Sequence, residues 1–286
     1  IAHLLGIPHL VVAINKMDLV GYSRDIFEQI VADFQVLVKA FGLESVTFIP
    51  VSALQGDNVV EKSEQMAWYE GDALLPFLEK VEVQKSINLQ EARFPVQYVI
   101  RPQTEELHDY RGYAGKIISG IYRKGEAVTI LPSGVQSQIK SIKVGAGEVE
   151  EAFAPQSIVL ELADAVDVSR GDVIVKPDSL PTLSQELEVL LCWMDTKPLA
   201  PGNKYLLQLN STTVKAMVTQ LQYRINVETL QQEPEPGQVK LNDIVKVSIK
   251  TATPLPHDSY QKLRENGGAI LIDETSCATV AACMIQ

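Results

Sequence analysis

The hydrophobic period of this chain changes once, near residues 87–93, and that change limits the fold more than any other feature. Before it, apolar residues run continuously or recur at helical spacing; after it, they alternate. His9-Leu10-Val11-Val12-Ala13-Ile14 is a continuous apolar run, as expected of a parallel strand covered on both faces. From Ser23 to Gly42, the residues Ile26, Ile30, Phe34, Leu37 and Phe41 fall at helical spacing. Ser23 is the expected N-cap, Asp25 a negative first turn and Gly42 the C-cap. Val46-Thr47-Phe48-Ile49-Pro50-Val51 reads as a second buried strand. A helix is expected over 71–81, with Leu74, Leu75, Leu78 and Val81 toward the sheet.

Beyond the change, period-2 segments are expected at 94–100, 113–122, 127–131, 136–144, 157–162 and 172–176. Arg123-Lys124-Gly125, Pro132-Ser133-Gly134 and Arg170-Gly171-Asp172 punctuate them as turns. Strands this short and evenly spaced point to a closed antiparallel barrel. A proline-flanked break at 176–181 leads to further strands at 186–194, 204–209, 212–227, 243–250, 268–272 and from about 279. Pro198, Pro201, Pro234, Pro236, Pro254 and Pro256 are expected between them. The organisation expected is therefore an α/β region with a parallel sheet over 1–86, then antiparallel β-barrels over 87–178 and 179–286.

Composition narrows the function. With 46% hydrophobic and 21% charged residues, the 286-residue chain reads as globular and long enough for two or three cores. A formal net charge of -11 with no dense lysine and arginine run argues against a broad nucleic-acid footprint. Cys192, Cys277 and Cys283 match neither a disulfide framework nor a zinc site and read as free thiols in a reducing cytosol. His3, His9, His108 and His257 lack metal spacing, and Glu105, Glu106 and Asp109 read as a solvated loop. No apolar run approaches the ~20 residues that a membrane helix needs, and no basic-then-apolar leader opens the chain, so a cytoplasmic location is expected. The apolar opening from Ile1 to Ile7 has no Met and no cap, and reads as the end of a helix entered from upstream.

The sharpest chemistry is Asn15-Lys16-Met17-Asp18, placed where the first strand ends. Parallel α/β sheets bind ligands at the carboxyl ends of their strands. Guanine offers two adjacent donors, N1–H and the N2 amine, and one carboxylate at Asp18 can accept both. Adenine lacks that pair and would leave the carboxylate unpaired, so such a site can discriminate by factors on the order of 10⁴–10⁵. The Lys16 stem can lie along the base, and Asn15 can tie neighbouring loops. Ser52-Ala53-Leu54 follows the second strand; small residues there let backbone N–H groups approach the guanine O6, and the Ser52 hydroxyl can brace the loop. Trp68 and Tyr69 read as packing residues.

Asn15, Lys16, Asp18 and Ser52-Ala53-Leu54 resemble the base-reading motifs of the GTPase superfamily. Gly56-Asp57-Asn58 and Met66-Ala67-Trp68-Tyr69 resemble translational elongation GTPases, whose domain also continues into two β-barrels. Within that group, 94–102, Tyr110-Arg111-Gly112-Tyr113-Ala114-Gly115, 131–135, 151–154 and 169–172 are similar to the first barrel of the GTP-binding subunits of bacterial sulfate adenylyltransferases. Trp193-Met194, 198–202 and 267–273 are similar to their second barrel. The resemblance implies GTP as ligand, with Mg²⁺, and a small nucleotidyl-transferase subunit as partner. That partner handles ATP and sulfate in making adenosine 5′-phosphosulfate, with no nucleic acid or membrane involved. The sequence departs from the family in having no Gly-x-x-x-x-Gly-Lys-Ser/Thr and no Asp-x-x-Gly-His segment, so none of its residues is assigned to hydrolysis or to metal. Two other readings stay open: an elongation factor that delivers aminoacyl-tRNA, and a non-catalytic barrel platform. Among barrel features, the loop Tyr110-Arg111-Gly112-Tyr113 is the expected partner contact.

Overall fold

The structure is a computed structural model that describes residues 7, 9–40, 45–81, 87–102, 110–226 and 231–286. The expectations placed on Phe41, Gly42, His3, His108, Glu105, Glu106, Asp109 and the opening six residues lie outside that set. The chain divides into two compact units, Ile1–Lys85 and Ser86–Gln286.

In the first unit, β1 (Leu10–Ile14) and β2 (Val46–Pro50) pair in parallel, from Leu10 opposite Val46 to Ile14 opposite Pro50. Between them runs helix α1 (Arg24–Ala40), whose start is capped as expected: the Ser23 hydroxyl accepts from the Ile26 N–H at 3.4 Å. Its packed stripe keeps the expected Phe34 but otherwise runs through Phe27 and Val31, one residue after the expected Ile26 and Ile30. Phe27 is buried, and Val31 packs beside it against the same small core of Ile14, Met17 and Met66. By contrast, Ile26, Ile30 and Leu37 remain 39%, 41% and 38% exposed. The two stripes are neighbours at 100° per residue, so periodicity alone does not choose between them. Aromatic neighbours do. Phe27 lies 5.3 Å from Trp68 and 6.2 Å from Tyr69, centroid to centroid, and Phe34 meets Phe48 edge-on at 5.7 Å. The later helix, α2 (Leu74–Lys80), is shorter than expected, and Leu75 and Leu78 face away from the packed side.

In the second unit, alternation in the sequence becomes two closed barrels. The first contains β3 (Arg93–Ile100), β4 (Gly112–Lys116), β6 (Ala127–Leu131), β7 (Val135–Val144), β10 (Ser157–Leu162) and β11 (Val173–Val175). Their order is β4-β3-β11-β6-β7-β10, and β10 returns to β4 to close the ring. A hairpin strand, β8 (Gly147–Val149), extends β7, while β5 (Ile121–Arg123) pairs with β9 (Glu151–Phe153). The single strand expected over 113–122 is thus two. The break holds Gly120 at φ +78, where an added Cβ would lie 2.3 Å from the Ala92 Cα, so only glycine fits. Strands β8 and β9 were not expected because three residues carry no readable alternation.

The second barrel contains β12 (Thr182–Trp193), β13 (Lys204–Leu209), β14 (Thr212–Ile225), β16 (Ile244–His257), β17 (Gly268–Ile272) and β18 (Thr279–Ile285), with one helical turn, α3 (Arg264–Gly267). Their ring order is β13-β17-β18-β12-β16-β14, closed by β13 with β14; β15 (Gln232–Pro234) adds to the outer edge of β14. Trp193 is fully buried at its centre, edge-on to Tyr205 at 5.7 Å, and its Nε1–H donates to the Lys197 carbonyl at 2.9 Å. Strand β16 is longer than expected and contains Pro254 and Pro256, and Pro234 lies in β15. Pairing of β16 with β14 stops at Thr251, while pairing with β12 continues to His257. The prolines therefore sit where one side of the strand is an edge and a missing N–H need break no ladder bond.

Candidate functional site

Parallel pairing in register brings the carboxyl ends of β1 and β2 side by side, and with them the two loops that carry the motifs. The strands stay zipped into the loops: the Val51 N–H donates to the Ile14 carbonyl at 2.8 Å, and the Met17 N–H to the Val51 carbonyl at 3.2 Å. Lys16 turns the chain sharply in the left-handed region, at φ 67 and ψ 33, and a 3-10 turn over Met17–Val20 follows. Buried Met17 anchors that turn from below.

Of the predicted site residues, Asn15, Asp18, Ser52 and Ala53 are brought together. The Asn15 Oδ1 accepts from the Lys16 N–H at 2.7 Å and from the Ala53 N–H at 3.0 Å, so it joins the two loops. The fully buried Ser52 donates its hydroxyl to the Asp18 Oδ1 at 2.7 Å and accepts from the Gln55 N–H at 3.3 Å. Among the described residues, the Asp18 carboxylate has no other hydrogen bond, and it is only half-buried, so its second oxygen is available to an outside donor pair. Lys16 is exposed and makes no side-chain hydrogen bond among the described residues. Leu54 is 82% exposed and contributes no packing to the loop.

A second layer stands behind these residues. The Asp57 carboxylate accepts from the Tyr22 hydroxyl at 2.9 Å and from the Ser63 hydroxyl at 2.7 Å. Its backbone carbonyl accepts from the Ser52 N–H at 3.1 Å. The bond to Asp57 is the main reason the Tyr22 phenol is held above its usual pKa, with burial adding to it. Asn58 donates to the Pro50 carbonyl at 2.9 Å and accepts from the Ser63 N–H at 2.8 Å. Trp68 and Tyr69 pack as expected against Phe27, but each also makes a hydrogen bond: Trp68 Nε1–H to the Tyr22 carbonyl at 3.0 Å, and the Tyr69 hydroxyl to the Phe48 carbonyl at 3.1 Å. Sequence reading passed over Tyr22 because neither its left-handed φ of 57 nor its reach to Asp57 leaves a local pattern.

In the barrel loop singled out from sequence, both tyrosines are occupied. Tyr113 is buried, with its hydroxyl donating to the Val166 carbonyl at 3.2 Å. Tyr110 lies beneath the Lys143 ammonium, 4.8 Å from ring centroid to nitrogen, and Lys143 pairs with Glu161 at 3.1 Å. Arg111 alone is exposed, with no ion pair among the described residues.

Comparison with known proteins agrees with this architecture. Residues 1–142 match the Elongation factor Tu GTP binding domain, and residues 186–286 match the GTP-eEF1A C-terminal domain-like family. The chain is 44% identical to the Bifunctional enzyme CysN/CysC of Mycobacterium tuberculosis, covering 100% of this chain and 47% of that protein. It is 44% identical to the Sulfate adenylyltransferase subunit 1 of Bacteroides fragilis, covering 99% of this chain and 58% of that protein. The chain thus spans about half the length of the curated relatives it matches. Among solved structures, Sup35 complexed with GMPPNP aligns over 99% of this chain and 70% of that one, with a TM-score of 0.63 at 20% identity, a likeness of fold. A GTPase-type α/β region followed by two six-stranded barrels, with relatives this similar along the whole of this chain, leads to one conclusion: the chain belongs to the translation-factor-like GTPases, on the branch of the sulfate adenylyltransferase subunit 1 proteins.

Proposed function

We propose that this chain carries the guanine-reading loops and the barrel platform of a GTP-binding subunit that drives sulfate activation. The observation that carries the reading is the Ser52 to Asp18 hydrogen bond of 2.7 Å at the joined ends of two parallel strands. It leaves one carboxylate oxygen oriented and the other open, which fits the paired N1–H and N2 donors of guanine. Asn15 holds the two loops together, Lys16 covers the base, and the backbone of Ala53 and Leu54 approaches the guanine O6. The phosphates and Mg²⁺ would be held by residues outside this sequence, since no Gly-x-x-x-x-Gly-Lys-Ser/Thr occurs in it. We divide the chain functionally at 86/87 and 178/179, into base-reading part, first barrel and second barrel.

Formation of a phosphate–sulfate anhydride from ATP and sulfate is uphill. A ligand shifts an equilibrium only by its differential affinity for two states, so binding alone cannot drive the reaction continuously. Hydrolysis of GTP cycles the subunit between states and can. The nucleotidyl transfer itself belongs to a separate small subunit, which binds ATP and sulfate. No helix among the described residues is long and apolar enough to cross a membrane, and the free thiols of Cys192, Cys277 and Cys283 fit the reducing cytoplasm. The test mixes the complete gene product with the small nucleotidyl-transferase subunit of its own organism. Adenosine 5′-phosphosulfate should form faster with GTP than with a non-hydrolysable analogue. Salt-sensitive binding of aminoacyl-tRNA, without GTP-dependent sulfate activation, would overturn the proposal.

A further inference from the structure

Tyr22 packs its ring against the small core of Ile14, Met17, Phe27 and Met66, but neither that packing nor the base-reading motif accounts for its backbone conformation and its hydroxyl. It sits at φ 57, in the left-handed region that a bulky side chain avoids, yet no glycine or asparagine takes the position. Such a conformation persists only where the surroundings over-determine it, and here three contacts do. The Tyr22 N–H donates to the Met17 carbonyl at 2.8 Å, the Tyr22 carbonyl accepts from Trp68 Nε1–H at 3.0 Å, and the hydroxyl donates to Asp57 at 2.9 Å. The first contact ties Tyr22 to the turn that bears Asp18. The last ties it to the residue whose carbonyl receives the Ser52 N–H at 3.1 Å. Ser52 in turn donates to the Asp18 carboxylate at 2.7 Å. The chain of contacts is closed: Asp18, its turn, Tyr22, Asp57, Ser52, and back to Asp18.

We propose that Tyr22 and Asp57 are positioning residues for base recognition, with the Tyr22 hydroxyl to Asp57 carboxylate bond latching the Asp18 loop to the Ser52 loop so that the Asp18 carboxylate is presented to the base at a fixed angle. This rests on the guanine-reading role proposed for Asp18. A bidentate contact depends on the angle of both oxygens, whereas a single hydrogen bond tolerates rotation. Loss of the latch therefore weakens recognition of the N2 amine more than it weakens nucleotide binding in general. Ser63 holds the second Asp57 oxygen at 2.7 Å, so Asp57 keeps its place when the phenol is removed.

The experiment measures Kd for guanosine diphosphate and inosine diphosphate, which lacks the N2 amine, in the complete gene product. Tyr22→Phe, which removes only the hydroxyl, should reduce guanosine diphosphate affinity roughly tenfold, the scale of one hydrogen bond to a charged group. It should change inosine diphosphate affinity far less, so that the ratio of the two shrinks. Asp57→Ala, which removes the acceptor of that bond, should shrink the ratio in the same way, and the double variant should be no worse than the poorer single variant, because both act through one bond. An unchanged ratio in both single variants, or an equal loss for both nucleotides, would overturn the latch while leaving the role of Asp18 intact. Equal affinity of the unaltered protein for the two diphosphates would overturn the reading of Asp18 itself, and the latch with it.

Discussion

Arg93 and Asp258 form a bidentate ion pair in the interior of the second unit, with Nε to Oδ2 at 2.8 Å and Nη2 to Oδ1 at 2.9 Å. Arg93 opens the first strand of one barrel and Asp258 directly follows β16 of the other, so the pair fastens barrel to barrel. Arg93 is fully buried, and its remaining nitrogen donates to the carbonyls of Ala92 and Ser179 at 3.0 and 2.6 Å. Asn266 donates to the same carboxylate at 2.8 Å and accepts from Asn210 at 2.9 Å. Around it, Ser211 reaches the Val96 carbonyl at 2.9 Å and Thr212 the Gly171 carbonyl at 2.6 Å, so the junction is polar and satisfied rather than apolar.

Removing one partner of such a pair strands a buried charge, at a cost of about 3–5 kcal/mol. Arg93→Ala should therefore lower the denaturation midpoint far more than any surface arginine. Thermal or urea unfolding of the variant beside Arg111→Ala measures the contrast.

The same pair sets an acid limit. Burial by itself raises the Asp258 pKa, but the hydrogen bonds from Arg93 and Asn266 outweigh it and hold the carboxyl below its ordinary value of 3.8. A depressed folded-state pKa contributes stability that is present above the unfolded value and is lost as pH falls through the folded one. Unfolding free energy should thus decline below about pH 4, and Asp258→Asn should flatten the Asp258 share of that decline while lowering stability at neutral pH. Urea titrations at a series of pH values check both signs.

Asp18→Asn exchanges an acceptor for a donor opposite the guanine N2 amine. GTP affinity should fall about 10- to 100-fold, the range for losing one charged hydrogen bond, while xanthosine triphosphate, with a carbonyl at that position, should gain. Competition binding on the complete gene product, with adenosine triphosphate as the reference, gives the outcome.

The stripe of α1 that packs can be told from its neighbour by truncation. Phe27→Ala should cost about 3–5 kcal/mol, because Phe27 is buried against Trp68 and Tyr69. Ile26→Ala, one residue earlier and exposed, should stay within about 0.5 kcal/mol of the parent. Denaturant unfolding followed by Trp68 fluorescence reports on both.

Arg111 is the exposed side chain of the loop whose two tyrosines are already engaged. If that loop meets the partner subunit, Arg111→Ala should weaken association several-fold and leave the thermal midpoint unchanged. Calorimetric titration of the small subunit into each form decides it.

What the sequence determined by itself was local. Continuous apolar runs before 15 and 52 made parallel strands, and a loop that follows such a strand emerges at the sheet's carboxyl edge, so Asn15, Asp18 and Ser52 could be placed together from pattern and chemistry alone. Alternation beyond residue 93 likewise called for barrels, because a strand with one apolar face must bury it against others. Only the tertiary structure decided which stripe of α1 turns inward, since a helix with two adjacent apolar stripes takes its orientation from the aromatic rings it meets. The extent of β16 was decided the same way: whether a proline ends a strand depends on whether a neighbour still needs its N–H, and that neighbour is distant in sequence. The contacts least visible in the sequence were Tyr22 with Asp57, 35 residues apart, and Arg93 with Asp258, 165 apart. A hydrogen bond needs two groups within about 3 Å, and nothing in the pattern around either group says which distant segment the fold will carry to it.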